Sequence, residues 1–139
     1  MYEKPRVKYF ICALGTSAKL GIPAEQTERI IPVSRLQTSV YETENDDAFI
    51  SIPALFRQKD IAAPHGLVLK GGRDDGNGKT ILLTPKIDID LEIPEENIHS
   101  FPEAFAGLYT FIKGACFSGG SQNVILILDP EKLTEVYHD

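Results

Sequence analysis

The sequence predicts an all-β protein with short helices, built as small barrels. Three observations carry that expectation. Residues 87–93 (IDIDLEI) alternate apolar and acidic at every step, the period of a strand with one buried face. Short runs rich in Ile, Leu, Val and aromatic residues, about eight in all, recur with Gly, Pro, Asn or Asp between them. Little of the chain reads as helix, which leaves small closed sheets as the economical architecture.

Taken in order, Tyr9–Leu14 (YFICAL) is β-rich, Gly15-Thr16-Ser17 is a turn signal, and Leu20-Gly21-Ile22 is a short apolar return. Pro23 is placed to open a brief helix over AEQTERI that Pro32 stops. Residues 34–48 are polar and without period, and read as a loop. FISI (49–52) is a strand running into Pro53, and GLVLK (66–70) is another. The loop GGRDDGNG leads to the strand TILLT (80–84), with Asn77-Gly78 suited to positive φ in a tight hairpin turn. The alternating strand follows, and Pro94 ends it. LYTFIKGACF (108–117) and NVILIL (123–128) form a hairpin across SGGSQ. Asp129-Pro130-Glu131 starts a helix, with Asp129 as N-cap and Pro130 at N1. No short repeat is visible, although two halves of similar strand content are compatible with the pattern.

At 139 residues, 42% hydrophobic and 24% charged, the chain can bury a core without staples. Cys12 and Cys116 are far apart in sequence and sit in apolar stretches, so they read as buried thiols in a reducing compartment. The apolar part of MYEKPRVKYFICALG is too short for a signal-peptide core, and no run is long enough to span a membrane. A net charge of −6 disfavours a phosphate backbone as partner.

Motifs for catalysis fail on inspection. GGRDDGNGKT lacks the first glycine of a P-loop, since Arg73 stands there, and a strand rather than a helix follows. The same loop lacks the alternating oxygen ligands and closing glutamate of a calcium loop. CFSGG has Cys116 where a nucleophile elbow needs glycine. His65, His99 and His138 are isolated residues. Asp88, Asp90 and Glu92 share one strand face about 7 Å apart. Hard cations want oxygens converging from several segments, so a solvated face explains these carboxylates more simply than a metal site. An acidic face can equally be half of a protein contact.

The order of segments resembles the CheW-like chemotaxis coupling family. YFICALGTSAKLGIPAEQTERIIPV is similar to the family's opening strands and short helix, and FISIPALF to its hydrophobic–Pro–hydrophobic strand. TILLTPKIDIDLEIPEENIHSFP resembles the stretch ending in a Pro-Glu-Glu-x-Ile turn. LYTFIKGACFSGGSQNVILILDPEKL resembles the closing hairpin with its Leu-Asp-x-Glu-Lys-Leu signature. The resemblance implies two intertwined five-stranded SH3-like β-barrel subdomains within a single CheW-like domain, 1–139. The expected first barrel is 17–65 and the second 66–128, with the N-terminal strand and a C-terminal helix, 129–137, crossing or packing between them. It also implies no catalysis and no cofactor. The function implied is a cytoplasmic adaptor in chemotaxis signal transduction, coupling a CheA-like histidine kinase regulatory domain to the chemoreceptor tip. Where the family carries Asn-Leu-Arg-Gly, this chain has Glu44-Asn45-Asp46-Asp47, which reverses local charge and implies altered partner choice. Ala54-Leu55 and Thr84-Pro85 also depart from the family's Asp-Leu and Val-Asp. The expected protein-binding residues are therefore Glu44, Asn45, Asp46, Asp47, Asp88, Asp90 and Glu92. The alternative expectation is a diverged barrel that binds a small ligand or divalent metal in a cleft between its halves.

Overall fold

The computed structural model describes residues 6–13, 18–34, 40–56, 62–71, 78–100, 110–118 and 123–136. These residues form ten strands: β1 (Arg6–Ala13), β2 (Ala18–Pro23), β3 (Thr27–Pro32), β4 (Tyr41–Glu44), β5 (Asp47–Ser51), β6 (His65–Leu69), β7 (Thr80–Thr84), β8 (Ile87–Pro94), β9 (Ile112–Ser118) and β10 (Asn123–Leu128). Among the described residues, two short α-helices, α1 (Ile52–Leu55) and α2 (Pro130–Val136), follow β5 and β10. The strands make two five-stranded sheets, ordered β3-β6-β7-β5-β4 and β8-β1-β2-β10-β9. The all-β class with short helices and two five-stranded sheets is as expected.

The boundaries differ from expectation. The chain divides into one unit of residues 26–87 and another of residues 1–25 with 88–139. The expected split at 65/66 fails because β6 and β7 pair with β3 and β5, completing the first sheet. The N-terminal hairpin instead supplies two interior strands of the second sheet, where β2 pairs in parallel with β10.

In the contiguous unit, β7 is buried along its whole length and lies between β6 and β5. Val68, Ile81, Leu83 and Ala63 form a core with Ile31, Val33 and Phe49 packed against it. An unbroken apolar run such as ILL suits a strand covered on both faces. TERI, expected as helix, is strand β3. Only Ala24–Gln26 forms a 3-10 turn, and the pairing of β3 with β6 overrides the local helical spacing. The polar stretch 34–48 contains β4 and the start of β5, joined by a two-residue turn at Asn45 (φ 52°) and Asp46 (φ 70°). Positive φ at both positions is the type I′ geometry whose twist matches paired strands. Ile52 belongs to α1 rather than to the strand, because Ser51 accepts the Ala54 N–H at 3.4 Å and Pro53 suits the first turn.

In the discontinuous unit, Tyr9, Ile11, Ile93, Cys116, Ile125 and Ile127 form the core, with Val7 and Ile98 against it. Beyond β8 the chain crosses to the outer edge of β9. His99 N–H donates to the Ala115 carbonyl at 2.8 Å and Ala115 N–H to the His99 carbonyl at 2.9 Å. This links the two ends of the sheet order and curls it toward a barrel. Gly114 makes the crossing possible, since a Cβ there would lie 2.7 Å from the His99 carbonyl oxygen. Asp129 caps α2 as expected, its Oδ1 accepting the N–H groups of Glu131 (3.1 Å) and Lys132 (3.4 Å).

The two sheets share one topology. Numbering the strands of the contiguous unit 1 to 5 gives the order 1-4-5-3-2. Starting the other unit at β8 and ending at β2 gives the same order, with the parallel pair in the same place. In each, the third strand runs into a short helix with proline in its first turn.

Candidate protein-binding surfaces

The expected site residues fall on two separate features. Glu44 and Asp47 are the paired ends of β4 and β5, and Asn45 and Asp46 are the exposed tip between them. Asp47 does structural work there. Its Oδ1 accepts the Lys79 N–H at 2.8 Å, while Ala48 N–H donates to the Lys79 carbonyl at 2.8 Å. These bonds extend the parallel β5–β7 pairing by one residue. Gly78, at φ 72°, packs against the Asp46 carbonyl so closely that a Cβ would collide with it. Gly78 thus has the positive φ expected of it, but within the connection between β6 and β7 rather than in a two-residue hairpin turn; Asn77 lies outside the described residues. The Lys79 Nζ is 3.6 Å from Glu28 Oε1 with both side chains more than a third exposed, a pair worth about 0–1 kcal/mol. The turn at 44–47 is therefore held from behind and presents Glu44, Asn45 and Asp46 outward.

Asp88, Asp90 and Glu92 lie on β8, in the other sheet. Glu92 is exposed and Ile93 is buried at 4%, the alternation expected of the strand. The side chains of Asp88 and Asp90 lie outside the described residues. Among the described residues, no group of three or more His, Cys, Asp or Glu side chains converges as a metal site would. Cys12 and Cys116 are buried free thiols. Burial pushes the Cys116 thiol up, away from the thiolate that nucleophilic chemistry needs. His65 is exposed at the start of β6, His99 is tied by its backbone to β9, and His138 lies outside the described residues.

One further surface lies outside the expected site residues. Among the described residues, the exposed large apolar side chains are Phe117 (60%), Val136 (52%) and Ile30 (43%). Phe117 on β9 faces Val124 on β10, and Ala115 faces Leu126. Directly opposed residues share a sheet face. This outward face is therefore apolar, with Ala115, Val124 and Leu126 half-buried around an exposed aromatic ring. The signal in the sequence is the unbroken run VILIL in β10. A strand with one wet face should alternate, and this one is apolar on both.

Together these features define a two-sheet, ten-stranded fold with an exposed apolar hairpin face and an acidic turn. The fold is CheW-like. The structure is similar to the crystal structure of scaffolding protein TtCheW from Thermoanaerobacter tengcongensis, with a TM-score of 0.66 and 12% identity over 91% of this chain and 86% of that one. No family model matches the sequence, and no curated protein matches it. No described helix is long and apolar enough to cross a membrane.

Proposed function

We propose that residues 1–139 form a single CheW-like domain acting as a non-catalytic cytoplasmic adaptor in chemotaxis-type signalling. Its partners in this reading are a CheA-like histidine kinase regulatory domain and a chemoreceptor cytoplasmic tip. The observation that carries the reading is the likeness of nearly the whole chain to a scaffolding protein. The Phe117 face supports it, because an exposed aromatic amid half-buried aliphatic side chains is what protein contacts use as an anchor. The exposed turn Glu44-Asn45-Asp46, supported by Asp47, and the β8 positions Asp88, Asp90 and Glu92 are further contact residues. With acid where the family has arginine, contacts made through the turn are redirected toward cationic partners.

The test is association with cognate kinase and receptor-tip fragments, followed by size-exclusion chromatography and calorimetry. The adaptor reading expects a complex at or below tens of micromolar, the range of a transient interface. No association at that concentration with either fragment would remove its support.

A further inference from the structure

Net charge is distributed unevenly between the two units. Twelve of the twenty acidic and six of the fourteen basic residues fall in the unit made of residues 1–25 and 88–139, so it carries the whole net charge of −6. The contiguous unit has eight of each and is neutral. The Phe117 face belongs to the acidic unit. The antiparallel bridge between His99 and Ala115 makes the chain before His99 run beside the chain after Ala115. The 3-10 turn Glu95–Asn97 ends two residues before that bridge and Phe117 lies two residues after it, and both Glu95 and Glu96 are exposed. Lys113 is the one described cation on the same strand, two residues beyond Ala115 and away from the Phe117 end.

We propose that the β9–β10 face is a docking surface for a basic protein segment, one that seats an apolar side chain on Phe117, Ala115, Val124 and Leu126. Its lysines or arginines lie over Glu95 and Glu96. An apolar centre with charge at its rim is the ordinary anatomy of an interface. Rim charges of one sign speed encounter with the opposite sign and discourage partners of like sign. The same field works against anionic lipid surfaces and nucleic acid, so the occupant is a cationic polypeptide. The inference rests on the adaptor reading and adds the chemistry of the partner.

The experiment uses the full chain, labelled for NMR, and three synthetic peptides with one leucine pattern and either lysine, serine or glutamate between the leucines. The expected result is an affinity order of lysine over serine over glutamate, with shifts centred on Ala115, Phe117 and Val124. The lysine peptide should bind at least about tenfold tighter than the glutamate peptide at low salt and lose that advantage as salt is raised. F117A should abolish the localised shifts, and the double variant E95Q/E96Q should erase the preference for lysine. The variant E28Q, in the neutral unit and outside the proposed contact residues, should leave both unchanged. Thermal melts establish that each variant is folded. Equal binding of all three peptides at Phe117 would overturn the basic-partner inference while leaving the adaptor reading standing. Binding of none at this face, or binding insensitive to F117A, would overturn the inference as well. The adaptor reading would then be decided separately by the kinase and receptor fragments.

Discussion

The two sheets are one topology built in two ways. The first is woven from a continuous stretch, residues 26–87, and the second is assembled from both ends of the chain. Each places one parallel pair between antiparallel hairpins, and each sends its third strand into a proline-bearing helix. What differs is the surface. The contiguous unit is charge-balanced and spends an acidic side chain, Asp47, on holding its own strands together. The assembled unit carries the net negative charge and leaves Phe117 exposed. Equivalent backbones thus supply one internally braced acidic turn and one apolar hairpin face. Topology sets where a surface is, and side-chain chemistry sets what it can bind.

The largest expected effects come from the two cores. Leu83→Ala in one sheet and Ile127→Ala in the other each remove a fully buried side chain, and each should cost about 2–5 kcal/mol in urea denaturation. A cost near zero at either position would mean that its sheet is not packed as described. Next come the two glycines at close approaches. Gly78→Ala meets both positive φ and the Asp46 backbone, and Gly114→Ala meets the His99 carbonyl. Each should lose about 1–3 kcal/mol. Hydrogen exchange should localise the first loss to the β4–β5 turn and the second to the His99–Ala115 bridge.

The helix caps offer a finer contrast. Asp129→Ala removes two N-cap bonds and should cost about 1 kcal/mol, seen as a lower melting temperature. Ser51 makes one long bond to a four-residue helix, so Ser51→Gly should cost less than the loss of Asp129. The smallest effect is at Tyr9, whose hydroxyl is buried without a hydrogen-bond partner. Tyr9→Phe removes an unsatisfied polar atom and should be neutral or stabilising by up to about 1 kcal/mol. Burial, reinforced by Glu95, Glu25 and Cys116, raises the Tyr9 pKa above its ordinary value of 10.0. The folded state therefore holds the phenol proton that the unfolded chain releases, so the stability this group supplies is present below pH 10 and is lost as pH rises through the raised value. Alkaline melts of Tyr9→Phe should fall less steeply than those of the parent, and parallel curves would exclude this origin.

Local chemistry was sufficient for several elements. The alternation at 87–93 specifies a strand because the side-chain period of a strand is two, and β8 is that strand. Asp129-Pro130 specifies a helix start because a carboxylate can accept orphan N–H groups and proline needs none. Segments whose form depends on a distant partner were misread. TERI became strand β3 through β6, and YETE became strand β4 through β5, although neither has a strand's hydrophobic pattern. The Asn45-Asp46 turn was hidden for the same reason, since a hairpin turn is recognisable only when its flanking strands are.

By itself, the sequence determined that short two-faced strands must close into small β cores, because its apolar residues recur at that period between frequent turns. It also determined the charge, the N-cap of α2 and the two burial-prone cysteines. Only the tertiary structure decided which strands belong together, since pairing partners lie up to 106 positions apart, as Val124 and Ala18 do. It also decided that both chain ends build the acidic unit, and that the chain following Glu95 and Glu96 bridges to β9 at Ala115. Hydrogen-bond register between distant segments carries no local signature, so these neighbours become visible only once the sheets are formed.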